Sequence, residues 1–169
     1  GGFGYSFKKL VCIFKEKKDC KNCCLTKNCV YSQLFESSSD EKRKFLEFEE
    51  IPRPFVIEPP YTSKTIYKEN FPLKLILVGK AIKYFPYFFL SFQNLGKIGL
   101  GISRQTFTIK EVVQIYPERK NIYTDTEEFL SSIEIPENKN SLYFKEKISD
   151  KIKLNFISPT RIKFQGKFI

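Results

Sequence analysis

Histidine, methionine and tryptophan are all absent from this sequence of 169 residues. The absence of histidine removes the side chain that most often acts as a general acid or base near neutral pH. No apolar run is long enough for a transmembrane helix and no secretory signal is visible, so no membrane partner is expected. The chain opens on Gly1 rather than methionine. We therefore expect it to begin inside a longer protein or with the remnant of a tag.

Acidic residues are in the minority. The 29 Lys and Arg against 19 Asp and Glu give a formal net charge of +10. Such an excess favours a polyanionic partner, either nucleic acid or an anionic surface. A lysine-rich proteome also produces basic proteins without any such partner, so the charge alone leaves both explanations open.

Apolar residues are plentiful enough for a folded core. They make up 41% of the sequence, and 18 of them are Phe. That content excludes a wholly disordered chain. The length suits one domain, or one domain with part of a second.

The five cysteines all lie within residues 12–29. Without a secretory signal, such a cluster is typical of a cytoplasmic, metal-binding protein rather than of a disulfide framework. Cys12, Cys20, Cys23 and Cys29 have the spacing C-x7-C-x2-C-x5-C, and Cys24 is spare. Four thiolates predict a structural Zn²⁺ site without an open position. An iron–sulfur cluster uses the same ligands, and reduced free thiols are the remaining alternative.

Apolar periodicity predicts a mixed order of helices and strands. The predicted helices are 3–14, one or two turns near 31–35, and 85–95 ended by Gly96; the predicted strands are 55–57, 71–82 and 104–116. The order helix, strand, strand, helix, strand is that of a ferredoxin-like βαββαβ domain without its first strand. The predicted fold class is therefore α+β.

This order also predicts the domain organisation. We expect residues 1–116 to form a ferredoxin-like RNA-binding domain that carries the cysteine-rich metal loop, 12–29. Residues 117–141 are expected to be a connector with a short helix near 126–132. Residues 142–169 would then supply the first strands of a second, incomplete ferredoxin-like domain.

A glycine-rich stretch follows the predicted Phe-rich helix. Gly96, Gly99 and Gly101 allow positive φ and a close backbone approach to a ligand, and Lys97 and Arg104 add positive charge. Exposed amides in such a loop can bind an anion. The stretch lacks a Gly-Lys-Ser/Thr ending and follows a helix, which excludes the usual nucleotide-binding loops. These five residues are the RNA-binding candidates, although a helix end followed by a bend explains the glycines equally well.

Short motifs along nearly the whole chain share the pattern of one family. They are Gly2–Tyr5, the cysteine loop, Tyr31–Glu36, Pro52–Pro60, Leu75–Ala81, Pro86–Phe88, Leu95–Gly101 and Ser158–Arg161. Together they resemble the CRISPR-associated repeat-RNA endoribonucleases of the RAMP superfamily. The resemblance implies tandem ferredoxin-like domains and a glycine-rich loop that contacts RNA. It also implies CRISPR repeat RNA and other CRISPR-associated proteins as partners in the cytoplasm.

The same resemblance implies metal-independent RNA cleavage, in which the ribose 2′-OH attacks the adjacent phosphate. Members of that family often use histidine as acid or base, and this chain has none. The catalytic residues are therefore left unassigned, and whether the chain is an enzyme stays open. The alternatives are a non-catalytic RAMP subunit that holds guide RNA and an unrelated zinc-stapled nucleic-acid-binding module.

Overall fold

Helices and short antiparallel strand pairs build an α+β fold in the computed structural model. It describes residues 2–14, 19–20, 22–36, 52–60, 67, 69–127, 130–135, 163–164 and 167–168. The elements are α1 (Gly2–Val11), α2 (Val30–Phe35), β1 (Phe55–Glu58), β2 (Lys74–Leu77), a 3-10 helix (Gly79–Tyr84), α3 (Phe85–Ile98), β3 (Glu111–Gln114), β4 (Lys120–Thr124), β5 (Lys163–Phe164) and β6 (Lys167–Phe168). Two units divide the chain, Gly1–Ile135 and Pro136–Ile169.

The strands pair as separate antiparallel hairpins. In the first unit β1 pairs with β2, and the Lys74 ammonium lies 3.0 Å from the Glu58 carboxylate across that hairpin. Strand β3 pairs with β4, and the register shifts between Val112 and Val113. In the second unit β5 pairs with β6.

The core of the first unit forms where the helices meet the β1–β2 hairpin. Its buried centre consists of Phe7 of α1, Leu34 of α2, Ala81 of the 3-10 helix and Phe88 of α3. Phenylalanine rings surround Phe88: the ring of Phe55 stands edge-on to it at a centroid distance of 5.1 Å. Aromatic pairs of this geometry add stability beyond the area that they bury. The many phenylalanines of the sequence therefore stabilise this core through ring contacts as well as through burial.

A second side of α3 is also buried. Phe89 is buried and packs edge-on against Tyr123 of β4 at a ring-centroid distance of 4.7 Å, and the neighbouring Ile122 is 2% exposed. Helix α3 therefore packs against α1 along its length and contacts β4 through the Phe89–Tyr123 pair.

Small residues allow α1 and α3 to approach closely. The Ser6 hydroxyl donates a 2.8 Å hydrogen bond to the carbonyl of Ser91, and both serines are buried. A Cβ on Gly2 would lie 3.2 Å from the Leu95 side chain. The contact between the two helices therefore depends on side chains no larger than serine at these points.

The predicted helices are confirmed with changed ends. Helix α1 stops at Val11 rather than at Phe14, and α2 occupies the predicted turns near 31–35. The prediction that Gly96 ends the third helix is wrong. Helix α3 runs through Gly96 to Ile98, and Gly99, at φ +89°, is its C-cap.

The predicted strands are shorter in the structure. The strand at 55–57 is confirmed as β1, whereas the strand predicted over 71–82 is limited to Lys74–Leu77. Gly79, at φ +56°, leaves the extended region and begins the 3-10 helix. Of the strand predicted over 104–116, only Glu111–Gln114 is regular.

The region predicted as a connector, 117–141, contains β4, which pairs with β3 across the predicted boundary at 116. The compact unit accordingly continues to Ile135. No helix occurs at the described residues between 126 and 132. Of the predicted second domain, 142–169, the described part is the β5–β6 pair, and the rest lies outside the described residues. Within the described part of the chain, no helix has both the length and the apolar character needed to cross a bilayer.

Candidate functional site

A small cavity lies between the end of α1 and the start of α2. Its volume is about 20 Å³, enough for one water-sized sphere. It is lined by Cys12, Phe14, Asp19, Cys20, Cys23, Thr26, Cys29, Tyr31 and Ser32. All four cysteines predicted as ligands thus line one cavity, whereas the spare Cys24 is exposed and is not among the lining residues.

Hydrogen bonds within the loop hold the central pair of cysteines. The Thr26 hydroxyl lies 2.6 Å from the carbonyl oxygens of both Cys20 and Cys23, and it donates its proton to one or the other. The amide of Cys23 also donates to the carbonyl of Cys20 at 3.3 Å. Sequence reasoning did not single out Thr26, because a threonine in a lysine-rich loop carries no distinctive signal.

The outer cysteines are positioned by the two helices. The Cys12 amide continues the hydrogen bonding of α1 by donating to the carbonyl of Lys8 at 2.8 Å. Cys29 precedes the first residue of α2 and accepts from the amide of Gln33 at 3.0 Å. The cavity is therefore attached to regular structure at both ends.

A cation stands beside this cavity. The pKa of the Lys8 ammonium is raised, first because it hydrogen-bonds the Cys20 side chain, and burial only partly opposes that effect. The same ammonium lies 5.3 Å from the centre of the Tyr31 ring. Burial, followed by the charge of Glu36, raises the pKa of Tyr31. The positive charge of Lys8 therefore lies beside Cys20 and Tyr31, two of the residues that line the cavity.

The four thiols line one cavity, but they are not arranged around a common metal position. Among the described residues, no three histidine, cysteine or acidic side chains form a group that could hold a metal as they stand. The Cys12 thiol instead contacts the carbonyl of Phe14 at 3.3 Å. Nearby, the hydroxyl of Ser32 is buried, and within the described part of the chain it has no hydrogen-bond partner.

The glycine-rich stretch forms a tight turn at the end of α3, which we call the glycine turn (99–105). The amide of Leu100 donates to the carbonyl of Gln105 at 2.8 Å, and the amide of Gln105 donates back at 2.9 Å. The turn is closed by the Arg104 amide, which donates to the Gly101 carbonyl at 3.3 Å. Ile102 is fully exposed at its tip.

The predicted RNA-binding residues occupy different environments. Lys97, Gly101 and Arg104 are exposed, Gly99 is partly buried and Gly96 is buried. A Cβ on Gly96 would lie 2.3 Å from the carbonyl oxygen of Phe107, and one on Gly99 would lie 2.2 Å from that of Arg104. These two glycines are therefore required by close packing of the backbone. Gly101, at φ +72° with open space around it, faces no such neighbour.

Amide groups are available at the tip of the glycine turn. Among the described residues, no backbone carbonyl accepts a hydrogen bond from the amides of Gly101, Ile102 or Ser103. Arg104 has a positive φ of 48°, which is uncommon outside glycine and asparagine. Consecutive amides of this kind can bind an anion, and the arginine adds charge at the same place.

Comparison with models of known protein families finds a match. The model of the AF_1859_N family, described as an N-terminal domain, matches residues 1–136. The protein belongs to this family. The AF_1859_N domain ends almost where the first compact unit ends, at Ile135.

A relative of this chain occurs in Archaeoglobus fulgidus, where it is described as an uncharacterized protein. It is 25% identical over 169 residues, which cover 96% of this chain and 54% of the relative. The chain thus spans about half the length of the curated relative that it matches. No solved structure matches the chain.

Proposed function

We propose that the protein binds RNA and that the glycine turn is the centre of its binding surface. The observation that carries the proposal is the coincidence of exposed Arg104 with three amides, 101–103, that have no backbone acceptor within the described residues. Cationic side chains and backbone amides are the groups that contact phosphates. The net charge of +10 favours the same partner.

Our finer proposal is that the bound RNA is CRISPR repeat RNA in the cytoplasm. It rests on the resemblance of the motifs to the RAMP endoribonucleases, including Leu95–Gly101, which leads into the glycine turn. RNA that remains bound after purification should be sequenced: enrichment of repeat RNA supports the proposal, and random cellular RNA contradicts it.

Cleavage is tested separately from binding. Repeat RNA incubated with the full chain in EDTA distinguishes two members of the proposed class. Specific cleavage identifies an endoribonuclease, whereas tight binding without cleavage identifies a guide-holding subunit. Equal affinity for duplex DNA and RNA would favour an unrelated nucleic-acid-binding module instead.

We also propose that α1, β1, β2, α3 and β3 correspond to a ferredoxin-like domain without its first strand. In a split βαβ unit, the two strands that flank the crossover helix do not pair with each other, because another strand lies between them. The separate pairing of β2 with β1 and of β3 with β4 is compatible with that arrangement. An experimental structure with a further strand between β2 and β3 supports this proposal, whereas direct β2–β3 pairing contradicts it.

Substitution of Arg104 tests the binding surface. Asparagine removes the charge but tolerates positive φ, so Arg104→Asn should weaken RNA affinity about three- to tenfold and lower the slope of log affinity against log salt by about 1. Arg104→Lys, which keeps the charge, should retain most of the affinity. Fluorescence polarisation with a labelled single-stranded RNA measures both.

A matched control separates local contact from overall charge. Lys120→Gln removes the same charge from β4, where Lys120 pairs with Glu134 at 3.2 Å. It should leave the affinity nearly unchanged. Equal losses of RNA affinity in Arg104→Asn and Lys120→Gln would show that net charge alone drives binding. An affinity that does not change with salt concentration would contradict binding by a basic surface.

A further inference from the structure

We infer that the cysteine-lined cavity is a structural zinc site, with Cys12, Cys20, Cys23 and Cys29 as its ligands. The folded chain brings these four side chains around one cavity of about 20 Å³ and leaves Cys24 outside. Four thiolates around an ion-sized space are the donor set that a closed zinc site uses.

The positions of the ligands explain what the metal would do. Cys12 directly follows α1 and Cys29 directly precedes α2, so one ion would tie the ends of both helices together. These helices contribute Phe7 and Leu34 to the core. In the described part of the loop between them, the large apolar side chains Ile13, Phe14 and Leu25 are all exposed. A metal therefore supplies the order that hydrophobic packing does not.

The surroundings of the cavity suit bound thiolates. The Lys8 ammonium lies 5.3 Å from the ring centre of Tyr31, which lines the same cavity, so its charge would offset part of the negative charge that four thiolates bring. Ser32, which is 2% exposed, has a hydroxyl without a partner among the described residues and lines the same cavity. A hydroxyl donor of this kind can hydrogen-bond a coordinating sulfur and orient it.

Binding requires the thiols to converge. As the side chains stand, no three of the described candidate ligands form a metal-binding group. Rotation about the Cα–Cβ bond turns each thiol without moving the backbone, and for Cys12 it gives up only a weak contact with Phe14. With four protein ligands the zinc has no open position, so its role is structural rather than catalytic.

Two adjacent cysteines provide a matched pair of variants. The purified full chain should contain about one Zn²⁺ per molecule. Cys23→Ser should lower the zinc content about tenfold, because it removes a ligand, whereas Cys24→Ser should leave the content unchanged. Elemental analysis measures the metal, and circular dichroism verifies that both variants fold.

Cobalt substitution tests the ligand set without any variant. After removal of zinc, Co²⁺ bound to the wild-type chain should give the visible bands of a tetrahedral site and the sulfur-to-cobalt charge-transfer intensity of four thiolates. A spectrum that reports fewer than four thiolates overturns the assignment. So do equal zinc contents in Cys23→Ser and Cys24→Ser, a brown iron chromophore in place of zinc, or a chain that takes up neither metal. None of these results depends on RNA binding.

Discussion

At the scale of single residues, the three glycines at the end of α3 and in the glycine turn are needed or favoured for different physical reasons. Gly96 and Gly99 lie under backbone carbonyl oxygens, so no side chain fits there. Gly101 has open space around it and is favoured only by its positive φ. The first two glycines therefore hold the end of α3 against the following segment, and the third belongs to the exposed tip.

Alanine at Gly96 and at Gly101 should have unequal effects on stability. Gly96→Ala forces a Cβ to within 2.3 Å of the Phe107 carbonyl oxygen. We expect a loss of about 2–3 kcal/mol, even after the gain that alanine brings inside a helix. Gly101→Ala meets no atom and should cost only about 1 kcal/mol for its left-handed φ. Urea denaturation compares the two, and equal losses would contradict this account of the packing.

Ser6 and Ser91 should also respond differently. The Ser6 hydroxyl donates to the Ser91 carbonyl at 2.8 Å, so Ser6→Ala should cost about 1 kcal/mol. The Ser91 hydroxyl has no hydrogen-bond partner among the described residues. Ser91→Ala should therefore be neutral or slightly stabilising, since it keeps the carbonyl and favours the helix. Thermal unfolding of both variants checks the order, and a larger loss in Ser91→Ala would reveal a partner for its hydroxyl.

At the scale of elements, the periodicity of apolar side chains predicts a helix where burial of one face determines the secondary structure. The stripe that includes Phe85, Phe88 and Phe92 predicted α3, because burial on one face selects a helix. Its end was misplaced because Gly96 has a packing function that pattern reasoning cannot separate from a C-cap. Helix α3 is also buried at Phe89, against β4, and the sequence carried little sign of that second contact.

Strand β4 was missed because little in its sequence marks it. Ile122 is its one fully buried residue, and polar residues flank it. Pairing with β3 stabilises this strand, and such pairing depends on residues distant in sequence. The short alternation of apolar and polar residues in Lys120–Thr124 therefore cannot be distinguished from a loop by sequence alone.

For the candidate sites, spacing along the chain was the useful signal. The grouping of four cysteines was visible because they are close in sequence, and the structure brings them around one cavity. Ser32 and Lys8 could not be assigned to that cavity from sequence, because α1 and α2 bring them there. Likewise, the burial of Gly96 depends on Phe107, whose approach follows from the turn.

At the scale of the whole molecule, the first unit should fold by itself. Its buried centre, Phe7, Leu34, Ala81 and Phe88, lies entirely within Gly1–Ile135. A chain ending at Ile135 should therefore keep the near-ultraviolet circular dichroism of its aromatic core and unfold cooperatively. Loss of that signal would show that residues after 135 are needed for the core.

The crowded glycines also limit how this family can diverge. A carbonyl oxygen 2.3 Å from a hypothetical Cβ at position 96, or 2.2 Å at position 99, leaves no room for any side chain. Relatives that share only a quarter of their residues should still carry glycine at both places, while position 101 can drift to asparagine. Counting substitutions at these three positions across distant members would thus measure selection on the backbone contact separately from selection on the exposed tip.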